Sequence, residues 1–154
     1  MLTKEEIGEI ETELKKYPDK QAACVEAMKI VQRQRGWVSD DSLCDLAEYL
    51  EMTLEELDSV ATFYPMIFRK AVGKHVVLVC DSVSCWIVGQ ENLRQGLSER
   101  LGIQPGETSE DGQFTLLPVP CLGACDHAPA MMIDDDLIGD VDVDNIEAIL
   151  SQFQ

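Results

Sequence analysis

The stretch His75-Val-Val-Leu-Val-Cys80-Asp-Ser-Val-Ser-Cys85 decides how this chain is read. Its first six residues are a short, nearly continuous apolar run rich in valine, the pattern of a buried strand. A cysteine closes the run and a second one follows after four more residues. The same arrangement recurs downstream. Phe114 to Val119 reads as a strand, with Pro118 and Pro120 suited to a sheet edge or a strand end. It leads into Cys121-Leu-Gly-Ala-Cys125, where three residues separate the cysteines. Each pair is expected on a loop immediately after a strand.

The surrounding pattern extends this into a domain. Residues 89–101 carry leucines at helical spacing, Leu93, Leu97 and Leu101, and Gly102 stops them. Residues 106–112 are rich in turn formers. Met131 to Ile133 and Leu137 to Gly139 read as two short strands joined by Asp134-Asp135-Asp136. Asp142 or Asp144 can cap a last helix running through Ile149 and Leu150. The order strand, helix, strand, strand, strand, helix predicts a compact α/β unit over residues 71–154.

Upstream the period changes to that of helices. Thr3-x-x-Glu6 is a capping box ahead of Ile7, Ile10 and Leu14. Cys24, Ala27, Met28 and Val31 mark one face of a helix from about Gln21 to Arg35. Gly36 lies just past its end, and Arg33 and Arg35 suit the negative end of its dipole. Leu43, Leu46, Ala47 and Leu50 mark a third helix over residues 41–51. Thr53-x-x-Glu56 opens a fourth through about Thr62, and Pro65 ends it. Residues 1–70 therefore read as a small antiparallel helical bundle, and the whole chain as α+β with an α/β second half.

Charge follows the same division. The chain has 154 residues, a formal charge of −17, and 45% hydrophobic and 27% charged residues, a globular composition. Residues 61–79 hold no acid and three bases, Arg69, Lys70 and Lys74, whereas residues 134–154 hold seven acids and no base. The basic stretch marks the boundary between the two parts. The acidity argues against nucleic acid as a partner, because phosphate contacts need Lys and Arg. It suits an acidic surface that keeps the protein in solution or steers a basic partner. No apolar stretch approaches the ~20 residues of a membrane-spanning helix, so no direct membrane insertion is expected. The opening Met1-Leu-Thr-Lys-Glu-Glu6 reads as neither a signal nor a transit peptide. A reducing cytoplasm is the expected compartment, where six cysteines point to metal or redox chemistry before disulfides.

Close pairs of cysteines let two thiolates converge on one metal, and two such pairs can enclose two metals. Soft sulfur donors suit iron–sulfur clusters or zinc. The spacing favours iron–sulfur, because zinc knuckles more often use two or four intervening residues and the three of the second pair are less usual there. A structural zinc site and free or redox-active thiols remain open on spacing alone. Gly123, without a Cβ, allows the backbone to approach an inorganic sulfide and aim amide groups at it.

Cys80-Asp-Ser-Val-Ser-Cys85 and Cys121-Leu-Gly-Ala-Cys125 resemble the two ligand loops of the thioredoxin-like [2Fe–2S] subunit of NADH:quinone oxidoreductase, respiratory complex I. Gln34-Arg-Gly-Trp37, Ala61-Thr-Phe-Tyr64 and Phe114-Thr-Leu-Leu-Pro118 resemble that family too, so the likeness spans nearly the whole chain. It implies a thioredoxin-like [2Fe–2S] ferredoxin domain after the helical bundle. The bundle would dock to a partner subunit. Cys80 with Cys85 would bind one iron, and Cys121 with Cys125 the other. It also implies a flavin- and NADH-binding partner subunit carrying FMN and NADH, with further subunits of the peripheral arm on the cytoplasmic side of a bacterial inner membrane. The cluster would exchange one electron with that flavin. Related subunits serve NAD-linked hydrogenases and formate dehydrogenases. A zinc-stabilised interaction module is the alternative from a different class.

The remaining chemistry-bearing residues have structural readings. Cys24 and Cys44 are expected as buried thiols, and His75 as a structural residue. His127, two residues past Cys125, is a conceivable ligand that four cysteines make unnecessary. Trp37 and Trp86 are expected in a core or an interface, and Trp86, next to a candidate ligand, could also shield the metal site. Met131 and Met132 are expected to pack within a strand. Thioredoxin-like folds often place a cis proline before such a strand, and Pro129 stands there. No Gly-rich phosphate loop or Ser–His–Asp set occurs, so no nucleotide and no catalytic residue are expected on this chain.

Overall fold

The computed structural model describes residues 1–153. The chain divides into two compact units, Met1–Ala71 and Val72–Gln154.

The first unit is all helix: α1 (Lys4–Leu14), α2 (Cys24–Arg35), α3 (Asp40–Leu50) and α4 (Leu54–Phe63). Three of the four starts carry a side-chain cap. Thr3 Oγ1 accepts the Glu6 amide at 3.1 Å and Glu6 Oε2 accepts the Thr3 amide at 2.7 Å, and Thr53 and Glu56 repeat the exchange at α4. Ser39 caps α3 through the Ser42 amide. Gly36, at φ 84, ends α2. The α2 helix opens with a short 3-10 turn over Gln21–Ala23. The apolar faces meet in a core of Ile10, Met28, Val31, Leu43, Leu46, Leu50 and Leu57.

Glu6 has a second role. It is fully buried, and Arg35 Nε and Nη2 each donate to its oxygens at 2.6 Å, while Arg35 Nη1 reaches Ser42 Oγ at 2.9 Å. The Arg35 guanidinium lowers the carboxyl pKa from its ordinary value, outweighing the upward push of burial. Cys44 corrects an expectation: it is exposed. It follows Leu43 by one position, about 100° around the helix, and so leaves the buried face set by Leu43, Leu46, Ala47 and Leu50. The tail of this unit is pinned by side chains. Gln32 accepts the Phe68 amide at 2.6 Å and donates to the Met66 carbonyl at 2.8 Å. Arg69 pairs with Asp58 and Asp40 and donates to the Val38 carbonyl, so part of the basic stretch is spent within the unit.

The second unit is built on β1 (His75–Cys80), β2 (Phe114–Val119), β3 (Met131–Ile133) and β4 (Asp136–Ile138), in the sheet order β2-β1-β3-β4. Between β1 and β2 run α5 (Val83–Ile87) and α6 (Gln90–Leu101), and α7 (Ile146–Leu150) ends the unit. The β1 and β2 strands are parallel, with His75 opposite Phe114 and Cys80 opposite Val119. A parallel pair needs a crossover, which α5 and α6 supply. The β3 strand runs antiparallel to β1, and β4 antiparallel to β3. Pro118 lies on the edge strand β2, where its missing donor costs nothing.

Alternation along β1 sends Val77 and Val79 into a core with Leu93 and Leu97 of α6, Phe114, Leu116, Met131, Ile133, and Ile146 and Leu150 of α7. Val76, Leu78 and Cys80 point to the other face and are also buried, which explains the unbroken apolar run. Gly96 lets α6 lie against α7, for a Cβ there would sit 2.9 Å from Ile146 Cδ1. Met131 is fully buried, as expected of strand packing. His75 joins β1 to the acidic turn after β3, its Nδ1 lying 2.6 Å from Asp134 Oδ2. Among the described residues no helix is long and apolar enough to cross a membrane.

Candidate metal centre

In-register parallel pairing decides where the cysteines fall. Cys80 is the last residue of β1 and stands opposite Val119, the last residue of β2. Both strands therefore end at one edge, and the segments carrying Cys85 and Cys121–Cys125 leave from it. The Asp81 amide donates to the Val119 carbonyl at 2.8 Å, and the Cys80 amide donates to the Ala130 carbonyl at 3.2 Å. Cys80 is thus anchored to the segment that follows Cys125. The Ala128–Pro129 bond within that segment is cis, as the family resemblance implied.

The two pairs differ in setting. Cys80 and Cys85 are both buried, in a small apolar cluster with Ala130 that Leu122, Ala124 and Ala128 pack against. Cys80 closes the strand, as the apolar run His75–Cys80 predicts, whereas Cys85, expected on a loop, lies in the short helix α5. The helix brings Cys85 back over the strand end, and the Trp86 amide, bonded to the Ser82 carbonyl at 2.9 Å, closes its turn. Cys121 and Cys125 are exposed. Gly123, at φ 78, lets the backbone fold so that its amide reaches Cys121 Sγ at 3.3 Å.

The two buried thiols act on each other's acidity. Burial pushes Cys80 up, but the Leu122 amide, the Ser82 hydroxyl and amide, and the Cys85 thiol together bring it below an ordinary thiol. Burial raises Cys85, the Ala130 amide opposes, and the neighbouring Cys80 raises it further. The thiolate is the form of either cysteine that binds a metal.

Among the described residues no three His, Cys, Asp or Glu side chains converge tightly enough to hold a single metal ion. The thiols instead stand as a buried pair and an exposed pair from separate segments. A cluster with two irons spreads its Cys ligands over both. The donor set fits that demand: sulfur throughout, with backbone amides directed at it. His127 lies outside the set. Its Nδ1 is 2.7 Å from Asp140 Oδ2 and its Nε2 is 3.5 Å from Asp126 Oδ2. The Asp140 carboxylate first, then the charge of Asp126, raises its pKa. Trp86, expected as a shield, is largely exposed; Leu122, Ala124 and Ala128 cover the thiols instead. Gly139 carries no signal in the sequence. Its missing Cβ would lie 2.4 Å from His127 Cβ, so it sets the seat of the Cys125–His127 turn.

A mixed four-stranded sheet with paired thiols at the ends of its parallel strands defines an iron–sulfur protein of thioredoxin-like fold. The family model for the thioredoxin-like [2Fe–2S] ferredoxin matches residues 10–154. The chain belongs to that family, whose cofactor is one [2Fe–2S] cluster, and within it groups with a subunit of NADH-quinone oxidoreductase. It is 48% identical over 153 residues to that subunit from Pseudomonas aeruginosa, covering 99% of this chain and 92% of the relative. It is 46% identical over 145 residues to its counterpart from Escherichia coli, covering 94% and 87%. Among solved structures, an NAD+-reducing [NiFe]-hydrogenase aligns with a TM-score of 0.71 at 23% identity, over 86% of this chain and 23% of the hydrogenase chain. That likeness speaks to the fold alone.

Proposed function

We propose that this chain is an electron-transfer subunit of an NADH:quinone oxidoreductase, with Cys80, Cys85, Cys121 and Cys125 as the ligands of its cluster. Cys80 and Cys85 hold one iron, and Cys121 and Cys125 the other. The observation that carries the reading is the in-register pairing of β1 with β2, which delivers two thiol pairs to one edge of the sheet. A bound [2Fe–2S] cluster accepts and releases one electron, here in exchange with the flavin of a neighbouring NADH-binding subunit. The chain's own residues set the conditions. Leu122, Gly123 and Ala130 direct amides toward the sulfurs, which favours the electron-rich state. The nearby acids Asp81 and Asp126 disfavour added negative charge. A low-potential centre follows, on the order of −400 mV. The helical unit, acidic and without chemistry of its own, serves as a docking element. FMN and NADH belong to the partner, and the complex's peripheral arm on the cytoplasmic side of the membrane is the site of assembly.

The test is elemental and spectroscopic. Anaerobically prepared protein should be coloured, contain iron and acid-labile sulfide in equal amounts, and give a paramagnetic signal after reduction. Cys80→Ser and Cys121→Ser should each abolish that signal while Cys44→Ser retains it. Colourless, zinc-loaded protein would support the interaction-module alternative instead, and a midpoint above zero would exclude the low-potential role.

A further inference from the structure

One buried side chain breaks the pattern of the helix that carries it. Gln90, Leu93 and Leu97 form the inward stripe of α6, and Gln90 is 1% exposed. Its Nε2 and Oε1 are both buried, and neither has a hydrogen-bond partner among the described residues. An enclosed amide without partners opposes folding, and the spacing of the stripe suits leucine or methionine at this position. Folding alone therefore does not account for the residue. Its place in the fold does. The chain leaves β1 at Cys80 and must return to Phe114, which stands opposite His75 at the far end of the ladder. The α6 helix makes that return, so Gln90, its first residue, is the member of the stripe nearest the cysteines. Gly89, at φ 98, turns the chain into the helix. The start of α6 lies against the thiol segment, for Gly89, Asn92 and Leu93 share a hollow with Ala128 and Pro129. Ala130 follows at once. Its carbonyl holds the Cys80 amide, and it belongs to the apolar cluster of Cys80 and Cys85.

We propose that Gln90 tunes the cluster: its side-chain amide donates to the cluster's sulfur and favours the reduced form. The inference rests on the reading of the four cysteines as ligands of a [2Fe–2S] cluster and adds a residue to that site. Reduction adds one electron, and the sulfurs share the negative charge it brings. Donors aimed at those sulfurs stabilise the electron-rich form and raise the midpoint potential. Backbone amides supply part of this. Gln90 adds a donor from a side chain, enclosed where a low dielectric strengthens it. A neutral donor there offsets Asp81 and Asp126, which oppose the added charge. Methionine or leucine would fill the same space without the donor. A polar residue at this position thus gives up stability for a property of the bound group.

The experiment uses the full-length, cluster-loaded chain. Wild type is compared with Gln90→Met, which keeps the volume and removes the amide, and with Leu97→Met, a change on the same stripe about two turns further from the cysteines. Redox titration followed by paramagnetic resonance gives the midpoint potentials, and urea unfolding is measured on the same samples. Gln90→Met should lower the equilibrium constant for reduction by about tenfold, the worth of one hydrogen bond to a charged acceptor. Tenfold is a midpoint about 59 mV more negative for a one-electron couple. Its iron and sulfide content and its urea midpoint should not fall. Leu97→Met should unfold earlier and keep the wild-type potential. Pulsed paramagnetic resonance on reduced wild type, grown with glutamine isotopically labelled at its side-chain nitrogen, should show a nitrogen coupling that Gln90→Met loses. An unchanged midpoint in Gln90→Met overturns the proposal and leaves Gln90 a core residue, partnered at most by an internal water. So does an equal shift in Leu97→Met, and so does labelled wild type without the coupling. The coupling is read in wild type, so a variant that fails to fold does not shield the idea. Wild-type protein without iron and sulfide refutes the cluster reading itself, a failure distinct from those three.

Discussion

Adding one methyl group at Gly139 tests how the Cys125 turn is held. An alanine Cβ there would lie 2.4 Å from His127 Cβ, 2.9 Å from the His127 carbonyl oxygen and 3.3 Å from His127 Cγ. Ordinary carbon contacts begin near 3.5 Å, so about an ångström of separation is needed, and one obstacle is backbone. The same few atoms hold two hydrogen bonds: the Asp140 amide to the His127 carbonyl at 2.6 Å, and His127 Nδ1 with Asp140 Oδ2 at 2.7 Å. Overpacking of this kind costs about 1–3 kcal/mol, and loss of the backbone bond adds about 1 kcal/mol. Gly139→Ala should therefore destabilise the second unit by about 2–4 kcal/mol. With an m-value near 2 kcal/mol per molar, its urea midpoint should fall by about 1–2 M. Cluster content after anaerobic reconstitution should fall with it, because the displaced turn carries Cys125. Gly8→Ala is the control. Gly8 lies inside α1 with no atom near its missing Cβ, and alanine there should stabilise the helical unit by about 0.5–1 kcal/mol. If Gly139→Ala unfolded at the wild-type midpoint and held wild-type iron, the claim that this contact seats the turn would be refuted.

Other expectations follow from the same structure. Glu6 has a folded pKa below its ordinary 4.5, so its stabilising contribution is present above about pH 4.5 and is lost as pH falls through the folded value. Glu6→Gln should flatten the acid limb of the unfolding profile and cost about 1–3 kcal/mol at neutral pH, less than the 3–5 of a fully enclosed ion pair because Arg35 retains solvent contact. Gly123→Ala must place a Cβ at φ 78, costing about 1–2 kcal/mol. It should also lower cluster retention under mild chelation, while Gly106→Ala, at φ 96 outside the thiol segments, should not. Gln32→Leu leaves the Phe68 amide without its acceptor and should cost about 1–3 kcal/mol, seen as faster hydrogen exchange over residues 66–69.

Much of the architecture is legible in the residues. The four long helices of the first unit announce themselves through repeating apolar positions, and α1 and α4 also through capping boxes, since both signals act over a few residues. The α6 helix and the strand β1 are legible for the same reason. The α5 helix is not: five residues span too little of a helical turn pattern to show a period, and its exposed valine and isoleucine imitate a strand or loop. Cys44 misleads because it adjoins Leu43 in sequence, whereas its 100° step from Leu43 runs away from Leu46 and Leu50, which set the centre of the buried face. Gly139 leaves no local signal, for its neighbour His127 lies twelve positions away along the chain and meets it only across a turn.

The composition, the four cysteine positions and their spacings define by themselves a sulfur-binding chain with a helical part before an α/β part. Those properties are carried by residue identity and by interactions within a few positions. Which thiols are buried, which amides face them and which apolar side chains remain in water depend on strand order and register. These arise only when segments distant in the chain pack together, because the hydrogen bonds of the β1–β2 ladder, not the spacing of cysteines, place Cys80 beside the turn that follows β2.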